Sequence, residues 1–88
     1  MKLKTESLYD DGLEKLLLRI PYALNRLDRL TAEILKSPRL GIGQPHQLHG
    51  YRPRVVWSRR IVGKHRLIYE IKEDCIIFLS CYGHYEDH

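Results

Sequence analysis

The apolar residues of this chain change period partway along it. Between residues 13 and 36 they recur on helical spacing, and from residue 55 they recur on strand spacing. Residues 2–5 are short and mixed, and read as an edge strand. Leu13, Leu16, Leu17 and Ile20 stand at i, i+3, i+4 and i+7, one apolar stripe of an amphipathic helix. Ser7 is its expected N-cap, and Asp10 and Asp11 suit the positive end of the helix dipole. Pro21 cannot continue that helix but fits the first turn of another. The second helix carries Ala23, Leu27, Leu30 and Ile34 on one face, flanked by Leu24, Thr31 and Leu35, and Ser37-Pro38 stops it. Two helices joined at a proline read as an αα-hairpin.

Residues 39–54 read as a loop, punctuated by Gly41, Gly43, Pro45, Gly50 and Pro53. A loop that long in a small domain is uncommon and is often functional. Residues 55–61 form the next strand, Val62-Gly63-Lys64 a turn, and residues 65–71 a further strand. On that strand Leu67, Tyr69 and Ile71 share one face, and Arg66, Ile68 and Glu70 the other. Lys72-Glu73-Asp74 turns again, and residues 75–82 are apolar on both faces, the pattern of a central strand. Short consecutive connections imply an antiparallel meander. The predicted fold class is α+β, two N-terminal helices packed on a small antiparallel sheet whose other face is open.

Composition narrows this further. With 88 residues, 43% hydrophobic and 30% charged, residues 1–88 read as one globular domain. No run of about 18 apolar residues marks a membrane span. Met1–Glu6 holds no apolar signal core, so a cytoplasmic protein without a membrane partner is expected. Cys75 and Cys81 are too few for a disulfide scaffold. Cys81-x-x-His84 could supply two metal ligands, but no second pair completes a site, so neither metal nor cofactor is expected.

The net charge of +4 conceals a strong asymmetry. Residues 34–69 hold eight Lys or Arg and no acid, so that segment is +8 and the remainder −4. His46, His49 and His65 lie in it too. A one-signed block of this kind is either a solvated basic face or the footprint of a polyanion binder. Neither helix has a basic face, which argues against a DNA-reading helix.

Alternation and a tight turn bring Arg60 and Arg66 onto neighbouring strands. Two guanidiniums there repel unless an anion lies between them or each finds an acid such as Glu70. Cleavage of RNA through its own 2′-hydroxyl needs a base, cations for the phosphorane and an acid for the leaving 5′-oxygen. A loop histidine, the strand arginines and His84 near the end could supply all three. Any one of these histidines, taken alone, is more often a surface residue than a catalyst.

The ordered series Trp57-Ser58-Arg59-Arg60-Ile61, His65-Arg66-Leu67-Ile68-Tyr69 and Cys81-x-x-His84-Tyr85 resembles the YoeB/Txe family of bacterial toxins, within the RelE-like superfamily. Gly41-x-Gly43-x-Pro45-x-x-Leu48 fits that family's loop, so the resemblance is close over residues 39–85. The helical half agrees only in length and pattern. The resemblance implies a metal-independent, ribosome-dependent endoribonuclease that cuts mRNA in the A site and inhibits translation. It implies a cognate antitoxin of the YefM/Axe kind, operator DNA bound only by the toxin–antitoxin complex, and a possible homodimer. By position, Arg66 matches the catalytic arginine, His84 the general acid and Tyr85 the terminal tyrosine that orients RNA. Arg60 and its neighbour Arg59 match the basic lining of the site, and His49, Arg52, Arg54 and Lys64 extend the expected RNA- and ribosome-binding surface.

The loop departs from the family. Its base is ordinarily a glutamate two residues before the leucine, and here that position is His46. His49 stands where lysine is usual, and Glu86-Asp87-His88 extends past the tyrosine that normally ends the chain. Either neutral His46 serves as the base opposite protonated His84, or the chain is a weakened or inactive relative that still binds the ribosome. The expectation is cleavage with an altered pH dependence.

Overall fold

The computed structural model describes residues 1–83. β1 (Lys2–Thr5) leads into α1 (Ser7–Arg19) and α2 (Ala23–Lys36). There follow β2 (His46–Leu48), a 3-10 turn (His49–Tyr51), β3 (Val56–Val62), β4 (His65–Lys72) and β5 (Cys75–Ser80). The strands form one five-stranded sheet in the order β1-β5-β4-β3-β2.

The α+β class is as expected. β2 to β5 are antiparallel neighbours in turn, but β1 lies parallel to β5, so the sheet is mixed. The reason is the helical pair after β1. A crossover of that length lets the chain return in the same direction, which no short turn can do. β4, not β5, is central. β5 is apolar on both faces because it is interior, with β1 along its far side.

Ser7 is the first helical residue of α1, not its cap. The N-cap is Glu6, which makes no side-chain cap bond, and only Asp10 of the two aspartates lies in the first turn. Pro21 sits in the turn between the helices, where the Ala23 N–H donates to the Ile20 carbonyl at 2.9 Å. Tyr22 caps α2. The predicted stripe of α2, Ala23, Leu27, Leu30 and Ile34, is wholly buried, and α2 packs on β3. α1 covers β5, with the Tyr9 and Phe78 rings 5.2 Å apart. From β4, Leu67 and Tyr69 complete this core. Truncating a side chain as enclosed as Leu30 costs about 2–5 kcal/mol in such a site.

Two expectations fail together. Residues 39–54 are not a structureless loop, because β2 pairs with β3 and the 3-10 turn follows. The far face of the sheet is not fully open either. Leu48, Val56, Ile68 and Leu79 form a second buried cluster there, with Tyr51 and Ile77 packed against it. The apolar residues of the supposed loop fold over the sheet, since leaving Leu48 and Tyr51 in water forgoes about 25 cal/mol for each Å² of apolar area. Among the described residues, no helix is long and apolar enough to cross a membrane.

Candidate active site

Strand alternation separates residues 56–61 into two sets. Trp57, Arg59 and Ile61 point toward the helices, and Val56, Ser58 and Arg60 toward the outer face. Arg59 is completely buried. Its guanidinium donates to the carbonyls of Ser37, Leu40 and Ile42 at 2.8, 2.8 and 3.0 Å, and to the Tyr69 hydroxyl at 3.0 Å. The Tyr69 hydroxyl in turn donates to the Pro38 carbonyl at 2.6 Å. Arg59, expected on the RNA-binding surface, is instead enclosed between the helices and the sheet and offers no side-chain surface there. It closes the C-terminal end of α2, where carbonyls lack partners and a cation is favoured. Burial raises the Tyr69 pKa, partly offset by the Arg59 charge.

The same contacts set the path of the loop. Gly43 takes φ +88°, and a Cβ there would stand 2.9 Å from Leu30 and 3.1 Å from the Arg60 carbonyl, so only glycine fits. The Gly43 carbonyl accepts the Arg60 N–H at 2.7 Å. From this fixed point the chain runs into β2 and delivers His46 opposite Ser58.

On the outer face Arg60 and Arg66 are directly opposed across β3 and β4. Arg66 is half-buried. Its Nε donates to the buried Ser58 Oγ at 2.5 Å, and its Nη2 lies 3.4 Å from His46 Nδ1. Arg60 is exposed, and its Nε donates to the Gly63 carbonyl at 3.2 Å. Arg60, Gly63, Lys64 and Arg66 line one shallow cleft. Opposed like charges destabilise a sheet, so this pair is suited to an anion that bridges it. His46 is exposed, and its Nδ1 also lies 3.4 Å from the Gln44 carbonyl. A ring that donates Nδ1–H to Gln44 keeps its lone pair on Nε2, and a ring that accepts from Arg66 carries its proton there instead.

The remaining basic residues do not join this cleft. Leu48 pairs with Val56, and Val56 with Glu70, so His49, Arg52 and Arg54 gather at the other end of the outer face. His49 Nδ1 accepts from Arg52 at 3.1 Å. Arg54 pairs with Glu70 at 2.9 Å, which answers where that acid goes: it serves neither Arg60 nor Arg66. Cys81 is buried in the main core, its thiol pushed up to about 12 mainly by burial, and it packs as a small apolar residue. Sequence reasoning missed Ser58 as the group that aims Arg66. Ser58 was visible only as a motif letter, and its diagonal reach across the strands depends on register.

His84 and Tyr85 lie outside the described residues. The last described residue is Gly83, whose carbonyl accepts the Arg66 N–H at 3.2 Å.

Two helices over one face of a small five-stranded sheet are the architecture of the RelE-like class of small toxins. Residues 19–85 match the family model described as YoeB-like toxin of bacterial type II toxin-antitoxin system. A toxin YoeB of Synechocystis sp. is 39% identical over 67 residues, covering 72% of each chain. The YoeB/ParE toxin structure from Agrobacterium tumefaciens superposes with a TM-score of 0.85 at 26% identity, over 97% of this chain and all of that one. A Staphylococcus aureus YoeB, solved as a heterotetrameric YoeB–YefM complex, shares the fold with a TM-score of 0.79 at 23% identity, over 97% of this chain and 98% of that one. The chain belongs to the YoeB-like toxin family.

Proposed function

We propose that this toxin is a ribosome-dependent endoribonuclease that cleaves mRNA in the A site and so stops translation. The observation that supports it most is the opposed Arg60–Arg66 pair beside His46, whose Nδ1 lies 3.4 Å from the Gln44 carbonyl, the contact that keeps the lone pair on Nε2. The scissile phosphate lies between the two guanidiniums. His46 Nε2 takes the proton of the 2′-hydroxyl as the 2′-oxygen bonds to phosphorus. Arg66, aimed by Ser58, and Arg60 neutralise the phosphorane with charge already in place where it develops. The bond to the 5′-oxygen then breaks, and His84 gives that oxygen its proton. The products are a 2′,3′-cyclic phosphate and a 5′-hydroxyl, with no metal involved. Tyr85 orients the RNA. Lys64 and the separate group His49, Arg52 and Arg54 contact ribosomal RNA.

The cognate partner is an antitoxin of the YefM/Axe kind, in keeping with the family and with the partner of the staphylococcal protein. Operator DNA is bound only by that complex. The toxin pairs as a homodimer and works in the cytoplasm, where ribosomes are.

A second reading is a toxin that occupies the A site without cutting. It is favoured by His46 standing at the base position with its Nδ1 directed at Arg66. Primer extension on ribosome-bound mRNA after brief expression separates the two. Cleavage reads out as new 5′ ends within the A-site codon, lost in Arg66→Ala. Growth arrest with intact mRNA would overturn the nuclease. A neutral histidine base with a protonated histidine acid gives a bell-shaped rate profile between about pH 5 and 8. His46→Ala with an unaltered profile removes His46 from the mechanism.

A further inference from the structure

His65 opens β4, and its side chain is 6% exposed. A buried imidazole must find hydrogen-bond partners. Here Nδ1 accepts the Gly83 N–H at 2.8 Å. The next residue of β4 grips the other backbone group of Gly83, since the Arg66 N–H donates to the Gly83 carbonyl. The His65 ring also lies on the Tyr82 ring, with centroids 4.8 Å apart and planes 31° from parallel. Gly83 itself has φ +84°, a left-handed turn that a side chain would resist. Two consecutive residues of β4 thus hold Gly83 by both its backbone groups, and Tyr82 by its ring.

As an acceptor at Nδ1 the ring must be neutral, with its proton on Nε2. The surroundings enforce this. Burial lowers the His65 pKa, and the cations Lys64, from the β3–β4 turn, and Arg19, from the end of α1, push it the same way. Among the described residues, Tyr82 is the other titratable group against the ring.

The residue that follows Gly83 in the sequence is His84. We propose that His65 is a positioning residue for His84: its neutral Nδ1 anchors the Gly83 N–H and sets where the chain leaves the sheet on its way to the acid. The proposal rests on the reading of His84 as general acid. It assigns the two residues of His65-Arg66 different tasks, one holding the tail and the other the phosphate.

The test uses His65→Phe, which keeps an aromatic ring on Tyr82 but has no acceptor, and His65→Asn, whose amide oxygen can stand near the Nδ1 position. His84→Ala runs in parallel. In a ribosome-bound cleavage assay His65→Phe lowers kcat by about tenfold to a hundredfold with KM unchanged, the range for displaced catalytic groups. Its Gly83 amide exchanges with solvent about twofold to tenfold faster, by the loss of roughly one hydrogen bond. His65→Asn restores both. Wild-type kcat in His65→Phe beside an inactive His84→Ala overturns this proposal alone. Equal losses in the Phe and Asn variants mean a merely structural ring and overturn it too. Full activity in His84→Ala overturns the acid assignment and this proposal with it. Should His65→Phe fail to fold, the wild type decides: protection of the Gly83 amide that disappears as His65 protonates supports the anchor, and an unprotected amide near neutral pH overturns it.

Discussion

Arg59 and Arg60 are adjacent in the chain and identical in chemistry, yet they lie on opposite faces of β3. On the helix side Arg59 has no exposed surface and spends its donors on three carbonyls and a tyrosine hydroxyl. On the outer side Arg60 is exposed, opposite Arg66, with a single bond from its Nε to the Gly63 carbonyl. The first is a fastener between α2, the following loop and β4. The second belongs to a cleft suited to an anion. The difference teaches that a run of basic residues is not one electrostatic object. A pleat of period two assigns alternate members to folding and to binding.

That contrast can be broken most sharply at the outer face. Arg66→Ala should lower mRNA cleavage by about 10²–10³-fold, the usual effect of removing one preorganised donor to a developing anion, while stability falls by only about 1 kcal/mol as the buried Ser58 hydroxyl loses its donor. A loss of about 3 kcal/mol or more would instead make Arg66 a fastener like Arg59. Arg59→Met should do the reverse. It strands buried acceptors worth about 1–3 kcal/mol each, so urea unfolding should report a loss of about 3 kcal/mol or more. Arg60→Met should stay within about 0.5 kcal/mol of wild type. Equal stabilities for the two variants would erase the distinction between the faces.

Gly43→Ala tests whether the loop is held as tightly as Arg59 implies. Its φ of +88° and the contact at 2.9 Å predict a destabilisation of about 2 kcal/mol, seen as a lower melting temperature. Arg54→Ala adds a further test on the outer face. Arg54 is the exposed partner of the buried Glu70 carboxylate, so its loss should cost about 1–3 kcal/mol in denaturant melts, and adding Glu70→Gln should recover part of it. A smaller effect comes from pH. The folded-state pKa of His65 lies below its ordinary 6.5, so the unfolded chain binds the proton more readily. The neutral ring's stabilisation is complete above 6.5 and is lost as pH falls below it toward the folded pKa. Comparing wild type with His65→Asn by denaturant melts at several pH values should show that acid-side loss only in the wild type.

Much of this fold was legible from residue pattern. The α2 stripe Ala23, Leu27, Leu30 and Ile34 is buried as its spacing required, and Leu67 and Tyr69 share the core face. The opposition of Arg60 and Arg66 followed from a tight turn, a local constraint that sequence reports well. Three things escaped. β1 carries only exposed side chains, so its parallel place beside β5 rests on backbone bonds that leave no hydrophobic signature. β2 lies in a Gly- and Pro-rich segment whose turn residues mask a strand of three residues. Arg59 looked like its neighbour because one residue's burial depends on which helix end lies over it.

The sequence by itself determined the periodicities, the turns and the order of motif residues, since each depends on neighbours a few positions away. It also carried the family likeness. Only the tertiary structure decided which basic residues fasten and which face an anion. It decided as well that Ser58 aims Arg66, and that His65 holds Gly83 across 18 positions of chain. Those outcomes depend on register between strands and on what packs over each face. Burial and strand pairing join residues far apart in the chain, so no local pattern encodes them.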